Sequence, residues 1–230
     1  MEKIKVIGFD ADDTLWVNEP YYQEAEKIFC KLLDSYLPED KVSAELFKTE
    51  IDNLDIYGYG AKGFTLSMVE TALRITDNKL PSKTIDTIIQ IGKSLLKKPI
   101  ELLDDIELLL NNLQGKYRLI VVTKGDLLDQ HRKLNSSGIL HYFNHIEIMH
   151  DKNETEYLRM LKRLDIVTEE FLMVGNSLKS DVLPVLSIGG HAIHIPYHTT
   201  WQHEKSNNNI NSEKFQKISK LTELLSILPI

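Results

Sequence analysis

The chain has 230 residues, enough for one large domain or for a core with a smaller inserted subdomain. Its 34 acidic and 27 basic residues give a formal net charge of −7, which disfavours both a broad nucleic-acid surface and polybasic attachment to a membrane. The single cysteine, Cys30, excludes an internal disulfide. Without a signal-like N-terminal segment or an apolar stretch of about 18–20 residues, we expect a cytoplasmic protein.

Five short apolar segments have the composition of strands that are buried on both faces of a sheet. In chain order they are residues 4–9, 118–122, 145–149, 171–174 and 192–195. Helical patterns of apolar residues lie between them, and this alternation predicts a parallel sheet with helices on both faces. The expected fold class is therefore α/β with a Rossmann-like core, in which ligands bind beyond the carboxyl ends of the strands.

The segment from residue 18 to residue 97 departs from this alternation because it contains no convincing strand. Apolar residues at helical spacing predict helices instead, over residues 21–36, 42–56, 62–75 and 82–96. We interpret residues 18–97 as a helical subdomain inserted into a core domain that is formed by residues 1–17 and 98–230. One more helix is expected near the C-terminus, over residues 212–228.

Two aspartates stand two positions apart directly after the first apolar segment, within residues 10–14, Asp-Ala-Asp-Asp-Thr. In an extended chain Asp10 and Asp12 project toward the same side. One carboxylate of such a pair can stay ionised and attack an electrophile or bind a metal, while the other acts as a general acid. An isolated Asp-x-Asp favours a surface turn, but Asp-x-Asp-x-Thr directly after an apolar run is much less common by chance.

A hydroxyl residue, Thr123, follows the second apolar segment, and Lys124 and Gly125 come next. A hydroxyl at a strand end, followed by glycine at a helix start, offers phosphate oxygens a side-chain donor and free backbone N–H groups. Most such turns only cap helices, so this motif gains its meaning from the other motifs of the chain.

A lysine, Lys152, follows the third segment and precedes the helical pattern that includes Tyr157. A lysine that reaches a crowded group of carboxylates reduces the repulsion between a carboxylate nucleophile and an anionic substrate. Taken alone, Lys152 would be interpreted as a solvated loop residue.

Oxygen-bearing side chains also follow the fourth segment, where Gly175 allows a tight exit from the strand and Asn176 and Asp181 come after it. Magnesium prefers hard oxygen ligands in octahedral geometry and retains several waters, so two or three protein oxygens suffice. The alternative interpretation is that Asp181 caps its own helix or pairs within it.

In their order along the chain, these four motifs resemble those of the haloacid dehalogenase-like (HAD) hydrolase superfamily. The resemblance covers the core, and it implies that Asp10 is the nucleophile and that Asp12 is the general acid and base. The implied phosphate-binding residues are Thr123, Lys124 through its amide, and Lys152. The implied ligands of a Mg²⁺ ion are Asp10, Asp12 through its carbonyl oxygen, Asn176 and Asp181.

The activity that this resemblance implies is magnesium-dependent hydrolysis of a small phosphorylated metabolite through an aspartyl-phosphate. The segment 18–97 resembles the helical cap of this superfamily in position and helicity only. A phosphomutase would share every motif, whereas a dehalogenase is less expected because Asp12 is present. A non-catalytic binding protein on the same fold is favoured only by Asn176, since the family usually has aspartate there and the amide brings no charge to the metal.

An unusual loop follows the fifth segment. Its His198, His203 and Glu204 could hold a second metal ion. A loop packed by Tyr197 and Trp201 is the favoured interpretation, and an oligomer interface is another, because aromatic residues are enriched at interfaces.

Overall fold

The computed structural model describes residues 3–204 and 210–229, and within them the fold is built on a six-stranded sheet. The strands are β1 (Val6–Phe9), β2 (Arg118–Lys124), β3 (His145–Met149), β4 (Phe171–Gly175), β5 (His191–His194) and β6 (Phe215–Lys217). Their order in the sheet is β3-β2-β1-β4-β5-β6, and every neighbouring pair is parallel. The predicted α/β class with a Rossmann-like sheet is confirmed, and each of the five predicted segments overlaps a strand.

The helices follow the predicted alternation. They are α1 (Glu19–Leu32), α2 (Glu39–Tyr57), α3 (Ala61–Ile75), α4 (Ser82–Leu96), α5 (Ile106–Leu113), α6 (Leu127–Ser136), α7 (Glu154–Arg163), α8 (Leu183–Ser187) and α9 (Leu224–Ile227). The first of them ends earlier than predicted because the chain tightens there, with the amide of Leu33 bonded to the carbonyl of Cys30. Among the described residues, the helices are too short or too polar to cross a membrane.

The chain divides into two compact units. The first contains the described residues of Met1–Glu19, Ile100–Lys124 and Gln130–Ile230, and the second contains Pro20–Pro99 and Gly125–Asp129. The first unit holds the sheet with α5, α7, α8 and α9, and the second holds α1 to α4, apart from the first residue of α1. The role of residues 18–97 as a cap stays a prediction.

Both faces of the sheet are buried, and side chains alternate between them along each strand. One face carries Ile7, Phe9, Leu119, Val121, Leu172 and Val174, which pack with residues of α5 and α9. The opposite face carries Val6, Ile120, Val122, Phe171 and Met173, which pack with residues of α7 and α8. Burial on both faces explains why these strands are continuous apolar runs in the sequence.

The helical unit has a core of its own. It includes Phe29, Cys30, Leu46, Met68 and Ile88. Cys30 is thus a buried free cysteine. A Cβ atom on Gly92 of α4 would lie 1.9 Å from Oγ1 of Thr65 on α3, so glycine at this position allows the two helices to approach closely.

The prediction of a long C-terminal helix over residues 212–228 is wrong. In its place β6 extends the sheet beyond β5, a single 3₁₀ turn follows, and only the short α9 is α-helical. The side chain of Glu223 accepts a hydrogen bond from the amide of Lys220 at 2.8 Å, which starts the helical turn late in the segment. Leu221 and Leu224 are buried, so their helical spacing reflects this short apolar face.

Candidate active site

The first feature of the candidate site is an edge of the sheet where three strands end side by side. Strands β2, β1 and β4 are adjacent and parallel, so their carboxyl ends lie together. Asp10 follows β1, Thr123 lies near the end of β2, and Asn176 follows β4. The amide of Asp10 donates to the carbonyl of Val174 at 2.9 Å, which holds the start of the first motif against β4.

Asp10 is buried, and both of its carboxylate oxygens accept hydrogen bonds. Nζ of Lys152 lies 2.5 Å from Oδ1, and Oγ1 of Thr14 donates to Oδ2 at 3.1 Å. Burial raises the pKa of Asp10 to about 7, with Lys152 opposing the rise and the negative charge of Asp181 adding to it. Burial and the neighbouring Asp181 therefore oppose the ionised form of Asp10 more strongly than Lys152 favours it.

Lys152 joins two carboxylates. Its Nζ also donates to Oδ1 of Asp181 at 2.6 Å, and the side chains of Lys152 and Asp181 are each 1% exposed. Burial alone would lower the pKa of Lys152, but the attraction of Asp10 and Asp181 outweighs burial and raises that pKa, so the lysine carries its charge. The interpretation of Lys152 as a solvated loop lysine is thus excluded by its burial.

A tight turn after β4 places Asp181. A Cβ atom on Gly175 would lie 2.2 Å from Oδ2 of Asp181, so only glycine leaves room for this carboxylate. The same oxygen accepts a hydrogen bond from the amide of Ser177 at 2.9 Å. Asn176 is joined to the first motif because Oγ1 of Thr14 also lies 3.4 Å from its Oδ1.

Asp12 has different surroundings from Asp10. Its carboxylate accepts hydrogen bonds from Nε1 of Trp16 at 2.7 Å, from Nε2 of Gln130 at 3.0 Å and from Nζ of Lys133 at 2.9 Å. Gln130 and Lys133 both belong to α6. The side chain of Asp12 is 24% exposed, so this carboxylate is oriented by three donors and still reaches solvent.

Thr123 and Lys124, at the end of β2, are held by the same glutamine. Nε2 of Gln130 lies 2.9 Å from Oγ1 of Thr123 and 2.9 Å from the carbonyl oxygen of Lys124. Thr123 is 1% exposed. The side chain of Lys124 points elsewhere, and its Nζ donates to Glu204 and Ser180.

The histidine-containing loop after β5 has partners other than a metal. The ring of His203 lies against Trp201, with centroids 4.9 Å apart, and its Nε2 is 2.8 Å from Nζ of Lys179. The ring of His198 lies against Tyr197, with centroids 4.2 Å apart. These aromatic contacts fit the favoured interpretation, a packed loop, better than a second metal ion.

The donor set around Asp10 fits magnesium in its chemistry. Within residues 3–204 and 210–229, no three His, Cys, Asp or Glu side chains are grouped so that they could hold a metal. A magnesium site would therefore combine the carboxylates of Asp10 and Asp181 with the amide oxygen of Asn176 and the carbonyl of Asp12. Two buried carboxylates share the single ammonium of Lys152, and a divalent cation would offset the excess negative charge.

Sequence reasoning missed several residues of the site. Gln130 and Lys133 are three positions apart on α6, which puts them on one helix face, and they follow the Thr123 motif closely. That spacing was a usable signal. Glu204 was considered only as a ligand of a second metal ion, and its contact with Lys124, 80 positions away, has no local signal in the sequence.

Comparison with known proteins places these motifs in a family. A sequence model of the haloacid dehalogenase-like hydrolases matches residues 4–189. The chain is similar to a solved haloacid dehalogenase-like family hydrolase from Xanthomonas campestris, with 36% identity and a TM-score of 0.89, over 98% of this chain and 91% of that one.

More distant relatives agree with the first comparison. A glyceraldehyde 3-phosphate phosphatase of Methanopyrus kandleri is 26% identical over 78% of this chain and 78% of its own length. The putative HAD-hydrolase YfnB of Bacillus subtilis, solved bound to magnesium, shares the fold with 20% identity and a TM-score of 0.66, over 99% of each chain. On the match of the family model and the similarity to the Xanthomonas hydrolase, this chain belongs to the haloacid dehalogenase-like hydrolases.

Proposed function

We propose that the chain is a magnesium-dependent phosphatase that hydrolyses small phosphomonoesters through an aspartyl-phosphate on Asp10. The observation that carries the proposal is the buried contact of Lys152 with both Asp10 and Asp181, at 2.5 and 2.6 Å, beyond the carboxyl ends of the strands. Membership of a hydrolase family and the similarity to a phosphatase of Methanopyrus kandleri support this chemistry over the phosphomutase and binding-protein alternatives.

Asp10 would act as the nucleophile. The contact with Lys152 favours the ionised form of Asp10, and an ionised carboxylate can attack phosphorus without a separate base. One of its oxygens forms a bond to phosphorus as the bond from phosphorus to the ester oxygen breaks. The ammonium of Lys152, together with Thr123 and the amide of Lys124, would offset the charge of the phosphoryl oxygens during this step.

Asp12 would move the protons. In its protonated form it would give a proton to the departing alkoxide. The carboxylate left behind would then remove a proton from a water molecule that attacks the phosphorus of the aspartyl-phosphate, which returns Asp12 to its protonated form. The second attack releases inorganic phosphate and restores the carboxylate of Asp10. The hydrogen bonds from Trp16, Gln130 and Lys133 would keep the Asp12 carboxylate in one orientation for both transfers.

Magnesium would be held by Asp10, Asn176, Asp181 and the carbonyl of Asp12. When bound, it supplies positive charge that neutralises the phosphoryl group and the excess carboxylate charge of the site. Asn176 contributes an oxygen without a charge, so we propose a lower magnesium affinity than an aspartate at this position would give.

The substrate would be a small phosphorylated metabolite rather than a nucleic acid, because the net charge of −7 opposes binding to a phosphate backbone. We propose that residues 18–97 act as a cap that sets substrate selectivity and excludes water during the reaction.

The test is turnover of p-nitrophenyl phosphate, followed by a screen of phosphorylated metabolites, each measured with magnesium and with a chelator. We expect magnesium-dependent release of inorganic phosphate. A phosphomutase would instead form a rearranged phosphate ester as its main product. The control is Asp10→Asn, which keeps the size of the side chain but loses the nucleophile, and we expect it to lose turnover while it stays folded. Equal turnover by Asp10→Asn and the unchanged protein would contradict the proposal.

A further inference from the structure

Glu204 is a largely buried acidic residue that the steps above do not use. It ends a 3₁₀ turn, Gln202–Glu204, and its side chain is 11% exposed. Its Oε1 accepts a hydrogen bond from Nζ of Lys124 at 2.5 Å. Its Oε2 accepts from Oγ of Ser180 at 2.7 Å and from Oγ of Ser177. Both carboxylate oxygens are therefore bound to residues of the candidate site.

The contact between Glu204 and Lys124 is an ion pair whose two side chains are largely shielded from solvent. The side chain of Lys124 is 15% exposed, and its Nζ also donates to Oγ of Ser180 at 2.9 Å. Burial alone would raise the pKa of Glu204, but Lys124 and the hydroxyls of Ser177 and Ser180 outweigh burial and lower this pKa to about 2. Glu204 is thus charged at every pH at which an enzyme of this kind works.

The two serines that bind Glu204 belong to the turn that carries Asp181. The amide of Ser180 donates to Oγ of Ser177 at 3.0 Å, and the amide of Asp181 donates to the carbonyl of Ser177 at 2.9 Å. The amide of Ser177 in turn binds Oδ2 of Asp181 at 2.9 Å. Movement of either serine would therefore move the carboxylate that is shared with Lys152.

We propose that Glu204 is a positioning residue, whose carboxylate fixes the turn of residues 177–181 and keeps the Lys124 ammonium beside that turn. The inference rests on the proposed function, because the turn carries Asp181, an expected magnesium ligand. Loss of the charge on Glu204 would leave the Lys124 ammonium with the more distant Asp151, at 3.9 Å, and it would weaken the hold on Ser177 and Ser180. The result would be a mobile Asp181 and a weaker magnesium site.

The experiment compares Glu204→Gln with Glu213→Gln, in which an exposed glutamate of the same part of the chain loses its charge. Hydrogen–deuterium exchange of peptides that cover residues 176–182 reports on the turn without any need for catalysis. We expect faster exchange there in Glu204→Gln alone. We also expect kcat to fall about tenfold or more, KM for substrate to change less, and the magnesium concentration for half-maximal activity to rise.

The exchange readout separates failure of this inference from failure of the proposed function. Unchanged exchange in Glu204→Gln, together with kinetics equal to those of Glu213→Gln, would overturn the positioning role. An unchanged protein that does not hydrolyse phosphomonoesters would overturn the proposed function, while the exchange result would still decide the role of Glu204. If Glu204→Gln does not fold, Ser180→Ala removes the hydroxyl between Lys124 and Glu204 and is expected to raise exchange in the same peptides.

Discussion

Asp10 and Asp12 are two positions apart in the chain, yet they have opposite surroundings. Asp10 and Asp181 are buried together and share a single lysine, so negative charge exceeds positive charge around them. Asp12 has its own lysine, Lys133, and also an indole and an amide donor. The first region has an excess of negative charge, whereas the second is balanced.

This difference indicates how one Asp-x-Asp pair can divide two chemical roles. A region with excess negative charge favours the arrival of a cation, and it keeps a nucleophile close to the place where a cation would bind. A balanced carboxylate with three directed donors is held in place but can still exchange protons with solvent and substrate. The surroundings of each residue, more than its type, set the role that we propose for it.

Removal of the shared lysine, Lys152, is expected to change stability and turnover more than removal of Lys133, the lysine of the balanced region. Lys152→Met leaves Asp10 and Asp181 as buried carboxylates without a common partner, so we expect a loss of about 3–5 kcal/mol in the free energy of unfolding. Turnover should fall by about a thousandfold or more, because the positive charge that faces the phosphoryl group is lost. Urea unfolding and p-nitrophenyl phosphate kinetics measure the two effects.

The matched control for this variant is Lys133→Met, which removes the lysine of the balanced region instead. Its effect on unfolding should be smaller because Asp12 keeps the indole and amide donors and remains 24% exposed. Equal losses of stability in the two variants would contradict the distinction between Lys152, which two carboxylates share, and Lys133, which pairs with Asp12 alone.

Lys133→Met is expected to have a moderate effect on turnover, one that depends on the leaving group. Without Lys133 the Asp12 carboxylate loses one of its three donors and is less well oriented for proton transfer. We expect kcat to fall about ten- to a hundredfold for an alkyl phosphate, whose leaving alkoxide needs a proton, and less for p-nitrophenyl phosphate. A fall of the same size for both substrates would argue against a role of Lys133 through Asp12.

Much of the fold was predictable because its signals are local. The buried strands appear as apolar runs, and the helices of the second unit appear as apolar stripes that are closed by Gly and Pro. The C-terminal region was mispredicted because β6 forms only by pairing with β5, and a three-residue strand leaves no period in the sequence.

The site was predictable where a residue follows a strand, and not where tertiary packing brings it in. Asp10, Lys152 and Asn176 follow strands, and Thr123 lies near the end of one, so the parallel sheet alone places them near one edge. The shared helix face of Gln130 and Lys133 was a usable signal, but only the contact of α6 with Asp12 gives Lys133 a role. Glu204 becomes part of the site through a loop contact that no local pattern encodes.

A pH-dependent effect on stability tests the charge excess around Asp10 directly. In the metal-free protein the pKa of Asp10 is raised to about 7, whereas the unfolded chain has the ordinary value of 3.8. Below the unfolded value Asp10 is protonated in both states, and this contribution to stability is fully present. As the pH rises toward 7, the unfolded chain releases the proton and the folded chain retains it, so the contribution is lost.

Asp10→Asn cannot ionise and should escape this loss. We therefore compare the free energy of unfolding of Asp10→Asn with that of the unchanged protein. The difference should rise in favour of Asp10→Asn by up to about 1.4 kcal/mol per pH unit between about pH 4 and pH 7, and then level off. Urea unfolding of both proteins in a chelator, at about pH 5 and about pH 8, measures this difference. A constant difference across that range would mean that Asp10 ionises as easily in the folded protein as in the unfolded chain, and that Lys152 fully compensates both carboxylates.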